Sequence, residues 1–157
     1  MIDSTSWMTI YPEIVLLVMA CVIALVDLLV TSPKRTVTYV LSLVSLGGVA
    51  LLHAFYADSG HTLYGFGRLV VSDPMGHWLK CFATIAVMVT LVYARPYAAD
   101  RDMLRGGEIF SLSVFALLGM SVMISGQNFL VLYLGLELLT LSSYALVALR
   151  RDNAQAT

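Results

Sequence analysis

The chain has 157 residues, of which 59% are hydrophobic and only 12% are charged, and its formal net charge is −1. A soluble domain carries roughly 25% charged residues, so these side chains cannot cover a globular surface in water. The composition therefore excludes an ordinary soluble protein and predicts an all-α integral membrane protein that contacts the lipid bilayer, with no nucleic-acid partner.

Five apolar stretches follow one another along the chain, each close to the ~20 residues that cross the hydrocarbon core as a helix. We predict a single membrane domain over 1-157, built as a bundle of five transmembrane helices. The predicted helices cover about 12-30, 37-57, 74-94, 108-125 and 128-149. The first helix has no basic segment before it and is too long for a typical signal sequence, so we expect it to be retained.

The basic residues between the predicted helices set the expected orientation. Seven of them fall on one side of the membrane: Lys34, Arg35, Arg95, Arg101, Arg105, Arg150 and Arg151. The other side holds Arg68 alone, in the loop over 58-73 that we expect to be flexible. Since basic residues concentrate in cytoplasmic loops, we predict an external amino terminus and a cytoplasmic carboxyl terminus.

Asp27, near the cytoplasmic end of the first helix, is a secondary site candidate. It lies close in sequence to Lys34 and Arg35. We interpret it mainly as a carboxylate solvated at the membrane interface.

The cysteines and histidines carry no predicted site. Cys21 and Cys81 lie inside predicted helices, where a thiol behaves as a small apolar group. His53, His61 and His77 are scattered, without carboxylate or cysteine partners at metal-ligand spacing. We therefore predict no metal site.

Lys80, inside the third helix, is the other secondary candidate. It lies six residues beyond Pro74, or ~9 Å from the outer end of the helix at 1.5 Å per residue. Its side chain is long enough to snorkel towards the interface, which is the common fate of such a lysine. Pairing with Glu137 is geometrically allowed if the third and fifth helices are neighbours.

Glu137, near the centre of the apolar run from Phe129 to Leu149, is the principal candidate for a catalytic residue, as a proton relay. An ionised carboxylate at membrane depth costs several kcal/mol, roughly 3 on insertion scales, so it needs a partner or a bound proton. Either state suits proton transfer. The alternative is a protonated carboxyl group that only holds helices together.

Helical spacing gives the fifth helix two faces. Tyr133, Glu137, Thr140 and Tyr144 form one polar stripe. Gly135 and Ser142 lie on the opposite face, where small side chains let another backbone approach. We therefore expect this helix to be buried on both sides.

Several of these segments together resemble a known family. They are Tyr11-Pro12-Glu13-Ile14, Val26-Asp27-Leu28, Asp73-Pro74 leading to Lys80, and above all YLGLELLTLSSYALVAL at 133-149. The chain is similar over its whole length to subunit N of bacterial proton-pumping NADH-quinone oxidoreductase (complex I). The glutamate of the last motif is the proton-path carboxylate of that family, and Glu137 matches it in place.

The resemblance implies an antiporter-like subunit of the bacterial inner (plasma) membrane that moves protons while quinone is reduced elsewhere. It implies no cofactor in this chain, since NADH, FMN, the iron-sulfur clusters and the quinone belong to the wider complex. Other membrane-arm subunits are the implied partners. Family members also place a lysine on a broken helix after the point that matches Thr157, so the chain is expected to be truncated at the carboxyl end and inactive alone.

Two rival interpretations remain. The first is a subunit of a multisubunit cation/proton antiporter or of a membrane-bound hydrogenase, which share related folds. The second is a structural or assembly membrane protein of five helices with no transport role.

Overall fold

A computed structural model describes residues 3–104 and 106–149. Within these ranges the elements are α1 (Ser4–Thr9), α2 (Tyr11–Leu29), α3 (Thr36–Asp58), β1 (Leu63–Gly65), β2 (Val70–Ser72), α4 (Pro74–Asp100), α5 (Glu108–Ser125) and α6 (Phe129–Val147). Arg105, Arg150, Arg151 and the tail to Thr157, which entered the predictions of orientation and truncation, lie outside the described residues.

Helices α2 to α6 are each long and apolar enough to cross a bilayer, with 18 to 27 residues. The predicted all-α membrane fold is confirmed, and the chain is a multi-pass membrane protein. α4 continues six residues beyond the predicted end at 94 and passes through Pro96. Proline normally ends or kinks a helix, but here Ala98 is fully buried, and its packing stabilises the added turn.

The loop over 58-73 is folded, contrary to the prediction of a flexible segment. β1 and β2 pair antiparallel, with Leu63 opposite Ser72. The unpredicted helix α1 packs against this hairpin, where the rings of Trp7 and Phe66 meet edge to face at 5.8 Å. The backbone N–H of Gln127, just before α6, donates to the carbonyl of Leu69 at 2.9 Å. These contacts fix the hairpin over one end of the bundle.

α5 is the central helix of the bundle. It packs against α2, α4 and α6, while α3 packs against α2 and α4. The buried apolar side chains on these helices form one core that includes Leu16, Ile23, Leu46, Val49, Leu91, Phe110, Val114 and Leu117. Burial of this surface holds α2 to α5 together, and α6 lies at the edge.

α6 meets α5 through small residues, as predicted. A Cβ atom added to Gly119 would come within 2.7 Å of the backbone nitrogen of Leu139, so the two backbones touch at this crossing. Gly135 and Ser142 are the buried residues of α6. The expectation that α6 is buried on both sides is wrong, because α5 covers one side and the opposite face remains open.

Candidate functional site

Glu137 lies on the open face of α6, near the middle of the helix. The helix begins after Asn128, whose side chain caps it by accepting a hydrogen bond from the backbone N–H of Leu130 at 2.9 Å. Nine residues at 1.5 Å each place Glu137 about 13 Å from this cap, which is membrane depth. Its side chain is half-buried.

The predicted polar stripe exists, and it faces outward. Tyr133 and Tyr144 are 58% and 69% exposed. The hydroxyl of Tyr133, one turn before Glu137, interacts with the Glu137 carboxylate. Thr140 donates instead to the backbone carbonyl of Glu137, at 3.1 Å. The stripe is therefore a polar face on an otherwise apolar surface.

Lys80 pairs with Glu13 of α2, not with Glu137. Its side chain is 1% exposed, so the expected snorkelling towards the interface does not occur. The reason is geometric: Glu13 lies in the first turn of α2, and Lys80 in the second turn of α4, at the same end of the bundle. A buried ammonium group is retained where a carboxylate compensates its charge.

Ser125, the last residue of α5, completes this buried cluster. The Nζ atom of Lys80 donates to the Ser125 hydroxyl and to Oε1 of Glu13. Ser125 in turn donates to the same Oε1 atom at 3.1 Å. We call Glu13, Lys80 and Ser125 the charge cluster, and it ties together α2, α4 and α5.

Glu13 was not among the functional residues predicted from the sequence. The signal was available: Glu13 and Lys80 carry opposite charges near the same predicted membrane face, each within two turns of a helix start. What the sequence alone does not contain is that α2 and α4 both pack on α5.

Two histidines that looked scattered in sequence meet in the structure. The Nδ1 atoms of His53 in α3 and His77 in α4 are 3.2 Å apart. Nε2 of His77 lies 2.7 Å from the hydroxyl of Ser72, at the end of β2. All three side chains are buried, and the Tyr56 ring stacks on His77 with a centroid distance of 5.4 Å. Ser72, His77 and His53 thus form a hydrogen-bonded chain beside the charge cluster.

Asp27 lies at the opposite end of the bundle and is buried, which corrects its interpretation as a solvated carboxylate. Its Oδ1 atom accepts from Thr38 at 2.9 Å and pairs with Nη1 of Arg35 at 3.3 Å. The same guanidinium donates to the backbone carbonyl of Asp27 at 2.8 Å. These contacts fix the turn between α2 and α3, so Asp27 has a structural role here.

The described residues show no group of three or more His, Cys, Asp or Glu side chains that could hold a metal ion. Cys81 is buried in α4 and Cys21 is exposed on α2, and both are free thiols. The polar chemistry of these residues is that of proton donors and acceptors: a half-buried carboxyl in α6, a buried ion pair and a histidine pair.

No family model matches the chain. Curated relatives do match it along its whole length. NADH-quinone oxidoreductase subunit N of Polaromonas naphthalenivorans (strain CJ2) is 73% identical over 157 residues, covering 100% of this chain. The chain belongs to the subunit N family.

Other subunit N proteins agree with this assignment. The protein of Herminiimonas arsenicoxydans is 48% identical over 98% of the chain, and that of Methylovorus glucosotrophus (strain SIP3-4) is 45% identical over 93%. The chain spans about a third of the length of these subunit N relatives, between 30% and 32%. The match therefore supports the resemblance found in the sequence.

Proposed function

We propose that this chain contributes to proton translocation coupled to electron transfer from NADH to quinone, within the membrane arm of complex I. The names of its relatives support this function over a separate antiporter or hydrogenase subunit and over a purely structural protein. The chemistry of NADH, FMN, the iron-sulfur clusters and quinone would belong to other subunits, which are the proposed partners.

The observation that carries the proposal is the position of Glu137. Placing an ionised carboxylate at membrane depth costs free energy, and the ionisable residues found there mark ion and proton pathways. Glu137 does not form the ion pair that neutralises Lys80, because Glu13 forms it. It stands instead on an open polar face with Tyr133 beside it.

We propose that this open face receives the charge partner of Glu137. The resemblance implies a lysine on a broken helix beyond the part of the family that this chain covers. A lysine that approaches Glu137 would favour its ionised form, and one that withdraws would favour its protonated form. Alternation between these states would load and release one proton.

Orientation is part of the same proposal. The charge cluster, the histidine pair and the hairpin would face the outside of the bacterial inner membrane, and the α2–α3 turn with Lys34 and Arg35 would face the cytoplasm. The support is the asymmetry of the basic residues between the helices.

The test is Glu137→Gln in the full-length subunit, assembled with the rest of the complex in proteoliposomes. Glutamine keeps the size and hydrogen bonding of the side chain and removes the transferable proton. We expect fewer protons pumped for each NADH oxidised. Asp58→Asn is the matched control, because Asp58 is an exposed carboxylate at the end of α3. Unchanged pumping by an assembled Glu137→Gln complex would exclude Glu137 as a relay.

A further inference from the structure

A second set of proton donors and acceptors lies apart from Glu137, at the hairpin end of the bundle. It consists of the charge cluster and the chain formed by Ser72, His77 and His53. Its members come from α2, α3, α4, α5 and β2, and all are buried. Burying two charges and two imidazoles costs free energy that apolar side chains would not cost.

The contact between the two histidines requires a shared proton. A hydrogen bond between two Nδ1 atoms forms only when one ring carries the proton and the other accepts it. The two arrangements differ in tautomer: either His77 donates to His53, or His53 donates to His77. The observed separation of 3.2 Å allows both.

This arrangement can pass a proton from Ser72 through His77 to His53 with no net change in the charge of the three side chains. A proton delivered by the Ser72 hydroxyl to Nε2 of His77 makes that ring cationic, and Ser72 regains a proton from a hydronium ion, which becomes water. His77 then gives its Nδ1 proton to Nδ1 of His53 and returns to neutral. His53, now protonated on both nitrogens, releases its Nε2 proton to a water molecule, which becomes a hydronium ion. One proton enters, one leaves, and both rings end in the other tautomer.

The charge cluster can regulate this transfer, because Lys80 follows His77 by one turn of α4. The positive charge of Lys80 interacts electrostatically with both imidazole rings, and the negative charge of the Glu13 carboxylate interacts with that of His77. When Glu13 is ionised, the pair with Lys80 is neutral overall. When Glu13 takes up a proton, the Lys80 ammonium is left uncompensated and opposes a cationic histidine beside it.

Glu13 has a free acceptor atom for that proton. Its Oε2 atom is buried and makes no hydrogen bond in the described structure. An apolar cavity of about 230 Å³ adjoins the Glu13 side chain, lined also by Ser125 and by residues from α2, α5, α6 and β2, among them Leu17, Val122 and Val131.

The other polar groups around the histidines are compatible with this role. Asp73, at the start of α4, acts electrostatically on His77. The Tyr56 ring from α3 stacks on the same imidazole and screens it. From α5, Ser125 reaches the charge cluster.

We propose that His53 and His77 form a second proton-transfer site of this chain, gated by the charge state of the Glu13–Lys80 pair, at the hairpin end of the bundle. The site rests on the proposed function, since it supplies or removes protons in a pumping subunit. It is separate from Glu137 in position and in residues.

The experiment uses the full-length subunit in the assembled complex. His77→Asn and His53→Asn place an amide nitrogen near the former Nδ1 position and remove the ability to relay a proton. His61→Asn is the matched control, because His61 is exposed in the loop before β1. Protons pumped per NADH oxidised, and the pH profile of that ratio, are measured in proteoliposomes with normalisation to assembled complex.

We expect both variants to assemble and to lower the ratio severalfold, with a changed pH profile, while His61→Asn matches the unaltered complex. Glu13→Gln should lower it as well, and Glu13→Gln combined with Lys80→Met should recover pumping, because the opposing charge is then gone. A ratio and pH profile unchanged in both histidine variants would overturn the proposal. Failure of both to assemble would also overturn it, since the pair would then serve folding.

The outcome for Glu137→Gln separates the two proposals. Lower pumping in Glu137→Gln with normal pumping in the histidine variants removes the second site and keeps the proposed function. Lower pumping in the histidine variants with normal pumping in Glu137→Gln keeps the second site and removes the role of Glu137. An unaltered complex that reduces quinone without pumping would remove both.

Discussion

Lys80 and Glu13 are 67 positions apart in the sequence and form a buried ion pair that joins α4 to α2. Ser125 of α5 accepts from the same ammonium group. Three helices therefore converge on one charge, and their relative positions at this end of the bundle depend on it.

Removing one partner of this pair should be more harmful than removing both. Lys80→Met leaves the Glu13 carboxylate buried without its cation, and breaking a buried pair in this way costs about 3–5 kcal/mol. Lys80→Met combined with Glu13→Leu removes both charges and should recover most of that loss. The free energies of unfolding of the two single variants and the double variant, measured in detergent micelles, give the coupling. Additive losses would show that the two side chains do not depend on each other.

The sequence predicted the parts of this structure that follow from local patterns. Apolar length predicted the five spanning helices, and the spacing of Gly135 and Ser142 predicted the face of α6 that meets α5. These features depend on the helical period and on the apolar character of a segment. Both can be read from the residues of that segment alone.

The features that were missed depend on which helices are neighbours. Lys80 was expected to snorkel or to approach Glu137, yet it meets Glu13, because α2 and α4 both pack on α5. His53 and His77 carry no motif, and only the packing of α3 on α4 brings their rings together. Periodicity identifies the face on which a side chain lies and leaves its partner undetermined.

Gly107 should be harder to replace than a glycine that is required only for its backbone conformation. It has φ +48°, and a Cβ atom there would overlap the Asp27 carboxylate that Arg35 and Thr38 hold. Gly67 in the hairpin turn has φ +67° and open space around it. A left-handed conformation costs a non-glycine residue about 1–2 kcal/mol.

Gly67→Ala should therefore lose only that backbone cost, whereas Gly107→Ala should lose more, because the carboxylate must also move. Thermal unfolding of the two variants in the same detergent makes the comparison. Equal losses would mean that Asp27 can shift freely, and that its contacts with Arg35 and Thr38 do not fix the turn.

Two glycines inside helices allow a similar comparison: Gly119 at the crossing of α5 and α6, and Gly48 on α3. Gly119→Ala adds a methyl group within 2.8 Å of the Gly135 carbonyl, so backbone must shift, and overpacking of this kind costs typically about 1–3 kcal/mol. Gly48→Ala in α3 meets no atom within 4 Å. It should be neutral or stabilising, since alanine is favoured over glycine in a helix by roughly 0.5–1 kcal/mol.

Free energies of unfolding for both variants test the close approach of α5 and α6. If Gly119→Ala is as stable as Gly48→Ala, the crossing accommodates a methyl group, and the close approach of the two backbones does not decide the stability of the α5–α6 contact.

The proposed orientation can be tested by labelling from one side of the membrane. His61→Cys places a thiol in the exposed loop before β1, and Lys34→Cys places one in the turn between α2 and α3. Cys21 and Cys81 are first replaced by alanine to remove the native thiols. A membrane-impermeant maleimide is then added to intact cells whose outer membrane has been made permeable.

With the basic residues of the α2–α3 turn in the cytoplasm, the reagent should label the His61→Cys variant and leave the Lys34→Cys variant unlabelled. Rupture of the inner membrane should then make the Lys34→Cys variant reactive as well. Labelling of the Lys34→Cys variant before rupture would reverse the orientation, and it would place the histidine pair and the charge cluster at the cytoplasmic end of the bundle.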